Sequence, residues 1–169
     1  MVWYVLLVAA VAVERLIEVF VAERNRRWSL DRGGIEAGAR HYPVMVVLHT
    51  ALLAGCLAET ALLHRPFVPA LGFSMLALVV AAQALRWWCI TTLGHQWNTR
   101  VIIVPGAKRI TGGPYRLIPH PNYVAVIVEG VALPLVHGAW LTAVAFTVLN
   151  AALLKTRVEV ENAALAGLR

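Results

Sequence analysis

Apolar positions fall into long blocks along this chain, and the breaks between the blocks mark out its elements. Residues 2–22 form the first block, Tyr42–Leu63 the second and Phe67–Ile90 the third. Each is close to the roughly 20 residues that a helix needs to cross the hydrocarbon core. From 91 to 120 the pattern breaks: Pro105-Gly106, Gly112-Gly113-Pro114 and Pro119 predict turns, with a short extended stretch at Val101–Val104 and no spanning helix. Apolar runs resume at Asn122–Val136 and Trp140–Leu154, separated by His137-Gly138-Ala139. Their shortness predicts a tight helical hairpin whose arms continue past the apolar part, the last of them through the tail that starts at Lys155. No internal repeat is visible. The pattern therefore predicts an all-α integral membrane protein with about five transmembrane helices, the last two a helical hairpin. Residues 1–169 form a single membrane domain, with three spans in 1–90 and a loop, the hairpin and a C-terminal helix in 91–169.

Polar residues inside the blocks carry the next layer of information. Glu14 and Glu18 are four apart in the first block, hence on one helical face, with Arg15 three before Glu18. A charge at membrane depth costs about 2.5–3.5 kcal/mol on insertion scales, so this face is expected to point into the protein. It serves there either as an ion pair that fixes packing or as part of a substrate cavity. His49 and Gln83 read as packing contacts, and Arg86-Trp87-Trp88 as a basic and aromatic cluster at a membrane interface.

Composition agrees with the pattern: 60% of the 169 residues are hydrophobic and 14% charged, too much apolar surface for one small soluble core. Cys56 and Cys89 both lie in apolar runs and read as buried free thiols without metal-ligand spacing. The start runs from an apolar stretch into Glu14-Arg15 without a basic leader, and reads as a retained helix. Five arginines lie in 23–41, four Lys/Arg in 91–120 and three in 155–169, against Arg65 alone between the second and third blocks. The positive-inside rule then places the N-terminus outside and both large loops and the C-terminus in the cytoplasm. The net charge of +6 follows from that asymmetry and suits an anionic leaflet of membrane lipids; no pattern points to nucleic acid.

The stretch Thr111–Tyr123, T-G-G-P-Y-R-L-I-P-H-P-N-Y, interrupts the apolar blocks on the cytoplasmic side. Gly113-Pro114-Tyr115-Arg116 followed by His120-Pro121-Asn122-Tyr123, a hairpin, and Arg157-x-x-x-Glu161 resembles the C-terminal half of the isoprenylcysteine carboxyl methyltransferase family. Leu93-Gly94 and Trp97-Asn98-Thr99 resemble the family's approach to this motif. Arg15-Leu16-Ile17-Glu18 and R-G-G-I-E-x-G-x-R-H-Y-P before the second block resemble a bacterial branch that methylates alkylpyrones or similar long-chain phenolic lipids. The resemblance implies an integral enzyme of the bacterial inner membrane that uses S-adenosylmethionine, bound in a cytoplasmic-side pocket, to methylate an oxygen of a lipophilic acceptor from the bilayer. It also implies the cofactor contacts: Ile110, Gly113, Pro114, Tyr115, His120, Pro121, Tyr123, Arg157 and Glu161. Departures from the family pattern are Ala107 in place of histidine, Pro119 before His120, Ala125 in place of glycine and Glu129 in place of tryptophan.

Physical chemistry gives these residues work to do. Tyr115 and Tyr123 offer an aromatic wall to a sulfonium. Arg157 and Glu161 either close the cofactor pocket or form an ordinary pair one turn apart. Glu129, a lone carboxyl in an apolar run, reads either as a base or hydrogen-bond acceptor for an enolic or phenolic hydroxyl, or as the partner of a basic residue on a neighbouring helix. Asn98 and Arg100 are candidates for orienting the acceptor oxygen. An isoprenylcysteine-like carboxylate acceptor, a nicotinamide-dependent membrane reductase and a non-enzymatic transporter or scaffold are the competing readings, and a homodimer is left open.

Overall fold

The computed structural model describes residues 1–166. Five α-helices account for most of them: α1 (Val2–Leu30), α2 (His41–Leu62), α3 (Pro69–Leu93), α4 (Pro121–Leu135) and α5 (Trp140–Ala166). Of these, α2, α3 and α5 are long and apolar enough to cross a membrane by length and composition, and α4 is a shorter apolar helix. Large apolar side chains such as Leu16, Phe20, Val47, Val80 and Val148 are exposed on the outer faces, the surface expected of a protein solvated by lipid. The chain is a membrane protein.

Two boundaries differ from the sequence-based expectation. Helix α1 runs on to Leu30 where a loop was expected from residue 23, because Glu23 accepts from Arg26 and Arg27 at i+3 and i+4 and so supports the added turns. Those two arginines hold the exposed Glu23 carboxyl down at about 2. The loop that follows is also not wholly irregular: β1 (Ile35–Ala37) pairs antiparallel with β2 (Val101–Ile103), Glu36 opposite Ile102. The expected extended stretch at Val101–Val104 thus exists as an edge that fastens the first large loop to the second.

The core fills from all five helices. Tyr4, Val8 and Val11 of α1 meet Leu52 and Cys56 of α2, Val79 of α3, Leu133 of α4 and Phe146 of α5. Tyr4 is fully buried and its hydroxyl donates to the Leu133 carbonyl at 3.0 Å, which disposes of its one polar atom. Helix α3 packs along α4, and α4 along α5. Gly130 permits the second contact, since a Cβ built there would lie 2.1 Å from Cε1 of Phe146. At the far end Glu59 of α2 caps α5, accepting from the Leu141 and Thr142 amides at 3.2 and 2.7 Å and from the Thr142 hydroxyl at 2.8 Å. A carboxylate at a helix N-terminus satisfies orphan amides and suits the helix dipole.

Candidate active site

The motif is built by its glycine and prolines. Gly113 has φ +54°, and a Cβ there would come 2.5 Å from Oγ1 of Thr92, so the turn can lie directly on α3 only without a side chain. Pro114 and Pro121 are buried; Pro114 opens the 3-10 turn Gly113–Arg116, and Pro121 starts α4, where its missing amide costs nothing. Ile110 is half-buried in the coil leading into this turn. Burial, with Cys89 beside it, pushes the Tyr115 phenol well above its usual range, so the group stays neutral at physiological pH.

The first turn of α4 presents His120 and Tyr123 together, their rings stacked at 5.4 Å and 23°. Both face Glu161 on α5: Tyr123 Oη donates to Oε2 at 2.6 Å, and His120 Nδ1 lies 3.5 Å from Oε1. Arg157, one turn before Glu161, sits 5.9 Å from the Tyr123 ring centre and donates to the Thr99 carbonyl at 2.8 Å, while its Nε is buried without a partner. The Arg157–Glu161 pair is therefore not an ordinary i,i+4 surface pair, because each member is drawn to another element. Thr99 was missed as a site residue although it lies inside the W-N-T segment; a backbone carbonyl leaves no mark in side-chain chemistry.

The first large loop reaches the same place. Arg157, Arg100, Tyr42, His41 and Glu36 line one small recess. Arg100 and Asn98, expected to orient an acceptor, have other partners. Arg100 pairs with Glu36 at 2.7 Å and lies 4.0 Å over the Tyr42 ring, while Asn98 donates to the Ala22 carbonyl at 3.3 Å and accepts from the Arg100 amide. Both side chains brace the loops against α1 and α2, with Arg100 bonded to Glu36 through Nη1. A mainly apolar groove of about 540 Å³ opens beside His120 and Tyr123 between α4 and α5, lined by Ile118, Ile127, Leu154 and Val158.

Glu129 faces away from that groove, two residues and about 200° around α4 from Ile127. Its Oε2 accepts from Arg15 at 2.6 Å and from Arg86, so of the two sequence-based alternatives the pairing with a neighbouring helix is the one observed. Arg86 is also a correction: it is 5% exposed and turned into the bundle, while Trp87 donates to Glu14 at 2.5 Å and only Trp88 of the expected interface cluster is exposed. Glu18 completes the group, paired with Arg15 and 3.5 Å from Arg86. Among the described residues no cluster of His, Cys, Asp and Glu fits a metal ion.

The sequence model of the isoprenylcysteine carboxyl methyltransferase family matches residues 75–167. YpbQ, an uncharacterized protein of Bacillus subtilis (strain 168), is 36% identical over 161 residues, which cover 95% of each chain. An uncharacterized protein of Haemophilus influenzae is 22% identical over 161 residues, 95% of this chain and 93% of that one. No solved structure matches.

Proposed function

Because the chain belongs to the isoprenylcysteine carboxyl methyltransferase family of membrane methyltransferases, we propose that it moves a methyl group from S-adenosylmethionine to an oxygen of a lipophilic small molecule, an alkylpyrone or long-chain phenol. The observation that carries this reading is the convergence of His120, Tyr123, Arg157 and Glu161 from the two arms of the hairpin.

The residues fit the cofactor's chemistry. Arg157 is a buried cation with an unpartnered Nε, suited to the carboxylate of a methionine moiety. Glu161 offers a carboxylate to ribose hydroxyls or an ammonium, and the stacked His120 and Tyr123 rings offer a face to adenine or to a sulfonium. When bound, S-adenosylmethionine supplies a methyl carbon on a positively charged sulfur, open to displacement by an oxygen lone pair. The chain's task is then alignment, which supplies much of the acceleration in a reaction of two substrates. The Thr99 carbonyl fixes Arg157, Glu161 fixes Tyr123, and the β1–β2 pair holds the first large loop beside them.

In this reading the protein sits in the bacterial inner membrane with its N-terminus outside, so the two large loops and the C-terminal end of α5 meet the cytoplasmic supply of the donor. The second reading is an isoprenylcysteine-like carboxylate acceptor. It draws on the engagement of Glu129 by two arginines, since a carboxylate needs no base. Calorimetry on the detergent-solubilised chain tests the donor: S-adenosylhomocysteine is expected to bind and NADPH not to. Binding of NADPH alone, or of neither, overturns the proposal. Methylation assays with a long-chain hydroxypyrone, a phenol and a prenylated thiol acid then separate the acceptors.

A further inference from the structure

The charged side chains buried between α1, α3 and α4 do not use up one another's hydrogen-bonding capacity. Glu129 Oε2 holds Arg15 and Arg86, Glu18 Oε2 holds Arg15, and Gln83 Oε1 accepts from Arg15 at 3.0 Å. Three atoms of the same group are nevertheless buried with no hydrogen-bond partner: Glu18 Oε1, Arg86 Nε and Gln83 Nε2. Arg86 Nε and Glu18 Oε1 are 3.5 Å apart, near enough for charge pairing but without a hydrogen bond. Buried polar atoms in folded proteins are overwhelmingly bonded, so three orphans in one cluster mark a place where another molecule bonds. An ionisable cluster at membrane depth invites the same conclusion.

The orphans define what fits. They comprise one acceptor, Glu18 Oε1, and two donors, Arg86 Nε and Gln83 Nε2, and the two arginines cancel the charges of Glu18 and Glu129. A neutral head with one O–H and one carbonyl oxygen satisfies all three without leaving a net charge buried. The position also suits a reactant. Glu18 lies one turn from Ala22, whose carbonyl accepts from Asn98; the next residue, Thr99, accepts from Arg157 of the candidate cofactor site. On α4, Asn122 shares the face of Val126 and Glu129, and its buried Oδ1 has no partner either, so this face of α4 carries a second unpartnered polar atom on the motif side of the cluster.

We propose that this cluster is the head-group site for a hydroxy-carbonyl acceptor, an enol or phenol with a ring carbonyl, in which Glu18 takes the hydroxyl proton while Arg86 and Gln83 hold the carbonyl oxygen. The proposal rests on the O-methyltransferase reading above. In the step, the acceptor O–H bond breaks and its proton passes to Glu18 Oε1. The freed oxygen pair forms the C–O bond, the methyl–sulfur bond breaks with its electrons left on sulfur, and Glu18 returns the proton to water. Glu129 is a positioning residue that fixes the two arginines, and the base role expected of it from sequence moves to α1.

The test uses the full chain in detergent and two synthetic acceptors of equal alkyl length, a 4-hydroxy-2-pyrone and a phenol without a carbonyl. Glu18→Gln is expected to slow phenol methylation on the order of 100-fold, the usual scale for losing a positioned base. The more acidic pyrone enol, which gives up its proton without help, should lose less than about tenfold. Gln83→Met should raise KM for the pyrone and leave that for the phenol unchanged. Both variants should bind S-adenosylhomocysteine as the unsubstituted protein does. Equal losses on both acceptors, or an unchanged pyrone KM in Gln83→Met, overturns the head-group site. Failure of the unsubstituted protein to bind S-adenosylhomocysteine overturns the methyltransferase reading itself, so the two failures are distinct. If carboxylic acid acceptors alone are methylated, with Glu18→Gln harmless, the proton-acceptor role is overturned.

Discussion

Tyr123 and Glu161 are joined across the hairpin by a 2.6 Å hydrogen bond from the phenol Oη to the carboxylate Oε2, which ties the first turn of α4 to the C-terminal stretch of α5. A hydrogen bond to a charged group contributes about 1.5–3 kcal/mol. Tyr123→Phe keeps the ring that stacks on His120 and removes only this link. If the bond holds the cofactor pocket in register, S-adenosylhomocysteine affinity should fall about tenfold by calorimetry, in addition to the drop in thermal stability that loss of the bond itself brings. An unchanged affinity would show that the pair serves packing alone.

Arg157 separates charge from shape. Its guanidinium reaches the Thr99 carbonyl and lies over Tyr123 at once, which a planar fork can do and a single ammonium cannot. Arg157→Lys should therefore weaken cofactor binding by at least about tenfold although the charge is retained. Lysine performing as well as arginine would mean that only the positive charge matters.

Glu59 gives a prediction at the other end of the bundle. It accepts three hydrogen bonds from the start of α5 and pairs with Arg65 at 3.0 Å. Loss of a helix cap costs about 0.5–2 kcal/mol, and the buried amides left behind place Glu59→Ala at or above the upper end. Thermal unfolding in detergent should register this drop. Cofactor affinity measured below the transition should not move, because the start of α5 is the end of the hairpin remote from His120. A loss of affinity without a loss of stability would contradict that separation.

What the sequence made legible follows from which forces act locally. Block lengths gave the five helices, and the resemblance of the Gly113–Tyr123 motif and of Arg157-x-x-x-Glu161 to the family pattern gave the members of the candidate site; helix geometry then explains why residues three or four apart share a face there. The shared inward face of Glu14, Arg15 and Glu18 was equally readable. Its partners were not: Arg86 beside two tryptophans looks like an interface anchor until α3 is rotated against α4, and rotation is a property of packing. Asn98 and Arg100 were candidates for orienting the acceptor, but their contacts to Ala22 of α1 and Glu36 of β1 come from distant parts of the chain and leave no mark in the local pattern. Residues 35–37 and 101–103 are too short to announce their strand pairing on their own.

Gly130 and Phe146 offer the sharpest check on the hairpin itself. Two effects oppose each other in Gly130→Ala. Alanine in a helix interior is favoured over glycine by roughly 0.5–1 kcal/mol. Against this, the added methyl would lie 2.1 Å from Cε1 and 2.4 Å from Cδ1 of the Phe146 ring, which is 4% exposed and has no free direction in which to retreat. Overpacking of a full core costs about 1–3 kcal/mol, so the clash wins and the single variant should unfold at a lower temperature. Shrinking the ring reverses the balance: in Phe146→Leu the space exists, and the glycine replacement should become neutral or stabilising. The two substitutions should then couple by about 0.5–3 kcal/mol in a double-mutant cycle. Additive behaviour, or a stabilised Gly130→Ala in the parent chain, would mean that α4 and α5 do not meet at this glycine. The register that brings Tyr123 to Glu161 would then be wrong as well.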